Sequence, residues 1–218
     1  MPQTHLPLLL AILAAALGLL TGLPAVAGSV QKELASLGVV ERTQGDVTLV
    51  RGAASRKAIA GEAVARGDTI STAAESRALL VFPDGTRLTL GERAEALIDY
   101  FVYNPVKKNG AAFIDVVKGA FRFTTGSLRN LSDKRIEVRT DQATLAADGS
   151  DFWGGRIDDV FEVLLISGRI EVRNDAGKVV LQKKRMGSTV ATHLTAPDVP
   201  VPWGKDKVGQ AFATVSFK

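Results

Sequence analysis

Between Gly67 and Gly91 a short apolar run gives way to residues that alternate polar and apolar, and a period of two is the signature of a strand rather than a helix. Ala78–Phe82 is an apolar run, Pro83-Asp84-Gly85 interrupts it, and Arg87-Leu88-Thr89-Leu90 resumes strict alternation. Proline presets φ for a turn, Asp bonds its own backbone and Gly accepts positive φ, so the segment reads as a β-hairpin. Leu80 and Phe82 then share one face, and Leu88 and Leu90 the facing one. Leu79 and Val81 point the other way, which predicts cover on both sides of the first strand.

The same logic extends along the chain. Gly45-Asp-Val-Thr-Leu, Gly119-Ala-Phe-Arg-Phe and Gly168-Arg-Ile-Glu-Val each place a glycine before apolar residues at alternate positions. An apolar strand precedes each one, at Val39-Val40, Ile114–Val117 and Phe161–Ile166. Their unequal spacing excludes a fixed-period solenoid. Strands are also expected at Ala96–Tyr103, Arg135–Thr140, Ala143–Leu145, Lys178–Leu181 and Ser188–Ala191, and a loop over Ser55-Arg56-Lys57. The fold class that follows is mainly β, one antiparallel or coiling domain. Ala196–Gly204 is a proline-rich extended stretch. Beyond it, Lys205–Phe212 fits a short helix with Val208, Ala211 and Phe212 on one face, and the last residues fit an edge strand equally well.

The amino-terminal segment predicts export. Leu6–Leu20 is apolar, residues 1–27 hold no Asp, Glu, Lys or Arg, and Ala25-Val26-Ala27 gives a small-residue cleavage site. The expected organisation is a cleavable signal peptide over 1–27, a lead-in segment over 28–38, the β domain over 39–193 and a tail over 194–218. The run is short for a membrane span, which needs about 20 apolar residues. No stable span is therefore expected after cleavage, and the destination is periplasmic or extracellular. The 218 residues contain no Cys, so there is no disulfide framework, thiol chemistry or lipidation site. Burial alone must hold the fold. A net charge of +4, spread along the chain, is too diffuse for a nucleic-acid footprint.

No catalytic constellation stands out. Asp148-Gly149-Ser150-Asp151 has oxygen ligands around a glycine but lacks the further ligands of a calcium loop, so a turn accounts for it better. Asp158 and Asp159 are adjacent and would point to opposite faces of a strand, which suits an exposed hairpin tip and not an acid–base pair. His193 has no nucleophile arranged beside it, and Ser188 begins an ordinary strand. Lys118–Phe123 echoes an RNA-binding box with the wrong spacing, so Phe121 and Phe123 are read as core and Arg122 as outward. No catalytic residue, metal ligand or cofactor is assigned. Phe152, Trp153 and Trp203 are the candidate binding residues, because an exposed aromatic ring stacks on a sugar or anchors a partner. Set against this, Trp153 would cap the core and Trp203 would pin the tail.

Several ordered segments together resemble the FecR domain: the hairpin at 67–91, Lys118–Gly126, Ile136–Thr140 with Ala143-Thr144, Asp151-Phe152-Trp153 and Val163–Val172. The resemblance spans roughly Val39 to Val190. It implies a β-rich module of the periplasm or cell exterior. The family's name-giving members add a cytoplasmic anti-sigma region and one membrane span, and relay a signal from an outer-membrane receptor. Here the signal-like run starts within the first residues, so the expectation is a stand-alone exported FecR-domain protein. The family's Gly-x-Arg-Gly-Thr turn is matched by Ala146–Ser150, with Asp148 where the arginine would stand. The expected function is a non-enzymatic binding or signalling module of the bacterial cell envelope that contacts a partner protein. The alternatives are a peptidoglycan- or carbohydrate-binding module and a structural subunit of a surface assembly.

Overall fold

A strand that buries every second side chain needs another apolar face to close against. The computed structural model, which describes residues 35–218, meets this need with two nine-stranded sheets. In chain order the strands are β1 (Ser36–Gln44), β2 (Val47–Arg51), β3 (Ala54–Lys57), β4 (Ala63–Ala65), β5 (Thr69–Thr72), β6 (Arg77–Val81), β7 (Arg87–Leu90), β8 (Glu95–Asn104) and β9 (Asn109–Lys118). They continue with β10 (Phe121–Thr124), β11 (Asp133–Arg139), β12 (Thr144–Ala147), β13 (Asp151–Ile157), β14 (Val160–Ser167), β15 (Ile170–Asn174), β16 (Gly177–Leu181), β17 (Met186–Val190) and β18 (Val201–Pro202). A 3-10 turn lies at Ser127–Asn130 and the helix α1 at Lys205–Val215. The expected signal peptide and most of the lead-in segment lie outside the described residues.

The first sheet runs β18-β17-β14-β13-β10-β7-β6-β1-β4 and the second β16-β15-β12-β11-β9-β8-β5-β2-β3. The chain passes back and forth between them, so the body is coiled, and its strand pairs among the described residues are antiparallel with one exception. Strands β9 and β11 are parallel, because β10 carries the chain into the other sheet between them. The inward side chains of both sheets form one core, including Val40, Leu80, Leu88 and Phe123 from the first and Leu49, Ile70, Ile98 and Ile114 from the second. Each such side chain contributes about 1.5–3 kcal/mol by leaving water. Phe82 and Phe101 stack across the layers with centroids 4.5 Å apart.

The three glycine units are the corners. Gly45, Gly119 and Gly168 carry φ of 70°, 85° and 86°, and at each the chain leaves one sheet for the other. Space also demands glycine there. A Cβ would overlap Ser76 at Gly45 and Ala94 at Gly119, and would lie 2.7 Å from the Ser150 Cα at Gly168.

The hairpin at 67–91 forms as read, with β6 paired to β7. Its turn has a longer reach than a local turn needs. The Asp84 carboxylate accepts bonds from the Thr86 N–H (2.7 Å), the Thr86 hydroxyl (2.9 Å) and the Leu128 N–H (2.7 Å). One Asx turn thus ties the hairpin to the 3-10 turn between β10 and β11. Asp158 and Asp159 occupy the β13–β14 hairpin tip with φ of 52° and 61°, the conformation of a two-residue primed turn.

Two expectations are corrected, and one strand is added to those expected. Ser55-Arg56-Lys57 is not a loop: Ala54–Lys57 pairs with β2 as an edge strand. All four of its side chains are exposed, so no apolar alternation marked it. Strand β5 pairs β2 and β8 but offers a single aliphatic residue, Ile70, and was not read as a strand. The carboxy-terminal residues form helix through Val215, which excludes the edge-strand alternative there. Their buried residues are Ala211 and Val215, with Val208 packed partly against them.

Corner geometry is testable by comparing two glycines that both have positive φ. Gly119→Ala meets strain and backbone overlap and should lose about 3 kcal/mol in urea unfolding, whereas Gly52→Ala should lose about 1 kcal/mol. Gly52 has a φ of 57° and no atom within 4 Å of its Cβ position, so the difference isolates the overlap.

Candidate functional site

The outer faces of the two sheets are built differently. On the second sheet Arg135, Glu137 and Arg139 of β11 alternate outward beside Phe113 and Asp115 of β9. A bulge at Asp99 in β8 turns both Asp99 and Tyr100 outward, although Ile98 before them and Phe101 after them face the core. Tyr100 and Phe113 stack with centroids 5.7 Å apart, and Arg135 lies 5.3 Å above Phe113. Each arginine here has a carboxylate: Arg66 and Arg139 meet Asp99, Arg139 also meets Asp115, Arg135 and Arg173 meet Glu137, and Arg173 also meets Glu171. A cavity of about 360 Å³ opens among these side chains. Its charges are already satisfied, as in a structural network.

Burial opposes ionisation of Glu137, but hydrogen bonds from Arg173 and Arg135 outweigh it and hold the carboxyl below its usual range. The Arg139 hydrogen bond does the same for Asp99, against burial and with help from Arg66.

The outer face of the first sheet is part covered and part open. One row of paired residues crosses it: Arg42, Leu79, Thr89, Arg122, Trp153, Leu164 and Gly187. Helix α1 and the tail cover the far end of the row. Trp153 donates its indole N–H to the Thr214 hydroxyl at 2.9 Å, and it meets Trp203 edge to face at 6.1 Å. Trp203 fits over Gly187 because that residue lacks a side chain; a Cβ there would overlap the indole nitrogen. Lys207 sits 4.4 Å above the Trp203 ring and pairs with the buried Glu162.

The near end of the row is a cleft of about 480 Å³ between α1 and β1, β6, β7 and β10. Leu79 of its floor and Phe212 and Phe217 of its wall are apolar; Arg42, Arg87 and Arg122 supply charge. Arg122 makes a bidentate bond to Asp151 at 2.9 and 2.7 Å. Arg42 and Arg87 have no carboxylate partner among the described residues. Arg42 instead lies 4.4 Å over the Phe217 ring. It reaches this face through a bulge at Glu41, since an unbroken alternation from buried Val40 would turn Arg42 inward.

None of the aromatic candidates presents a ring face to solvent. Phe152 and Trp153 are 0 % exposed and Trp203 is 5 % exposed. Phe152 packs on Phe121 and Phe123 inside the main core, while the two tryptophans belong to a second cluster with Leu164, Ala211 and Val215. The structure therefore brings Trp153 and Trp203 together but leaves Phe152 on the opposite side of the sheet. The residues that sequence reasoning missed are Arg42 and Arg87. Outward alternation marks Arg87, but only the bulge places Arg42.

Other candidates resolve locally. Asp151 is held by Arg122 and Thr124, and Asp148 pairs with Lys134 at 3.1 Å. The Ser188 hydroxyl donates to the Asp198 carbonyl at 2.7 Å, and His193 is exposed. No cluster of three potential metal ligands occurs among the described residues.

Two outcomes are expected. Gly187→Ala should unseat Trp203, shift tryptophan emission to the red and speed proteolysis of the tail, with most of the β circular dichroism retained. Because Glu137 and Asp99 ionise more readily folded than unfolded, their contribution is full above pH of about 5 and lost as pH falls through their depressed values. Acid unfolding followed from pH of about 5 downward should be shallower for Glu137→Gln than for the wild type.

Comparison with known proteins places this architecture. Residues 68–171, from the start of β5 into β15, match the family described as FecR protein. A search among curated proteins finds no match. Two crystal structures of a candidate anti-sigma factor from Parabacteroides distasonis ATCC 8503 share the fold, with TM-scores of 0.52 and 0.51 at 19 % and 18 % identity. In each case the likeness covers 65 % of this chain and 62 % of that protein. The FecR match at residues 68–171 lies within a two-sheet body that continues on both sides of it.

Proposed function

We propose that this chain is an exported, non-enzymatic signalling module that acts by contacting a partner protein of the cell envelope. The observation that carries the reading is the FecR match over residues 68–171. The fold shared with a candidate anti-sigma factor supports a regulatory role. The signal-peptide pattern at 1–27 supports export, and no helix among the described residues is long and apolar enough to cross a membrane. A glycan-binding reading relied on exposed aromatic rings, and Phe152, Trp153 and Trp203 are buried.

Contact through a sheet face suits the geometry better than strand addition at an edge. The four edge strands are β3, β4, β16 and β18, two to five residues long. Charge blunts β3 at Arg56 and Lys57, and Pro202 blunts β18.

Cross-linking of intact envelopes, followed by mass spectrometry, tests the reading. It expects a chain that begins at Gly28 and a reproducible covalent adduct with one envelope protein. A chain that stays in the cytoplasm overturns it. Turnover of a glycan or ester by the purified protein, lost in Asp151→Ala, would overturn the non-enzymatic part.

A further inference from the structure

We infer that the cleft between α1 and the first sheet is a docking site for an acidic, partly apolar polypeptide segment of the partner. The inference rests on the reading of this chain as a partner-contacting module and specifies which surface does the work.

The argument begins with the contrast between the two outer faces. On the second sheet every arginine of the network has a carboxylate. In the cleft three guanidinium groups are gathered, and among the described residues no Asp or Glu lines the walls. Asp151 neutralises Arg122 from beside the cleft, which leaves the positive ends of Arg42 and Arg87 uncompensated among the described residues. Arginine is weakly hydrated and matches a carboxylate with two parallel N–H bonds, so such groups favour carboxylate ligands.

Shape then favours an acidic segment of a polypeptide. Arg42 and Arg122 stand in one row, separated by β6 and β7. Three strand spacings put their backbones about 14 Å apart, a span suited to successive side chains of an extended peptide. Arg87 lies diagonal to Arg122 on the adjacent strand, so the charges span two rows. Leu79, Phe212 and Phe217 add apolar surface between the cations. A chain with alternating acidic and aliphatic residues would match both.

Two of the three cations are also held in place. Arg42 rests on Phe217 and Arg122 lies 5.4 Å over Phe212, while Asp151 fixes the Arg122 head group. Positioned guanidinium groups lose less side-chain freedom when a ligand arrives. The ring of Phe212 belongs to α1, so the docked helix forms one wall of the site.

Fluorescence anisotropy with a short labelled peptide of alternating glutamate and valine tests the inference on the full processed chain. Saturable binding that weakens with added salt is expected, and a lysine–valine peptide should not bind. Arg42→Gln with Arg87→Gln should lose about tenfold or more in affinity at unchanged circular dichroism, since neither residue is in an ion pair among the described residues. Arg87→Glu should weaken the acidic peptide further. Lys183→Gln with Lys184→Gln, which removes the same charge from a distant exposed loop, should change affinity less than about twofold.

Absence of binding overturns the inference, as does an equal loss in the Lys183/Lys184 variant, which would reduce the effect to net charge. Competition by millimolar inorganic phosphate, or tighter binding to phosphatidylglycerol vesicles with the same arginine dependence, would overturn it in favour of a small anion or a lipid surface. If the peptide fails but an envelope adduct forms, the partner uses another surface and only the cleft assignment falls. If the peptide binds but no envelope adduct forms, the proposed function falls and the cleft assignment stands.

Discussion

At Gly45, Gly119 and Gly168 the backbone leaves one sheet with positive φ, and a neighbouring residue fills the space a Cβ would need. The rest of the molecule depends on these corners. A chain that cannot turn sharply there cannot bring its alternating apolar faces together, and without disulfides nothing else would hold the layers. Gly119 shows the coupling most directly. It packs on Ala94, at the crossing from β7 to β8, so two crossings between the sheets share one contact.

Two sheets packed this way leave two outer faces, and the chain treats them unequally. One face carries a closed network of guanidinium groups, carboxylates and two stacked rings. Its surface ion pairs add little stability individually, because exposed pairs contribute about 0–1 kcal/mol each. Their effect is to leave few charges unmatched. The other face is divided by α1. Under the helix, the two tryptophans form a small second core; beside it, arginines line a cleft. The helix thus both covers apolar surface and shapes the charged site. The tail from residue 194 is bound into the body through β18 and α1.

The match to the FecR family covers residues 68–171, yet the cleft draws on Arg42 before that region and on Phe212 and Phe217 after it. The shared fold supplies the floor at Leu79, Arg87 and Arg122. The segments around it supply the wall and the outermost cation. A family resemblance alone would therefore define only part of this surface.

Alternation and glycine placement in the sequence determined the class of fold, the hairpin at residues 67–91, the three corners and the inward positions of Phe121 and Phe123. These are local consequences of backbone sterics and of one side chain in two facing the core, so they are written in short stretches. Edge strand β3 escaped because an exposed strand carries no apolar signal, and β5 because its pairing depends on strands distant in sequence. Only the tertiary structure decided that Trp153 and Trp203 face each other under a helix, and that a bulge at Glu41 turns Arg42 outward to join Arg87. Such outcomes depend on which strands become neighbours and where one extra residue shifts their register, and no residue states that by itself.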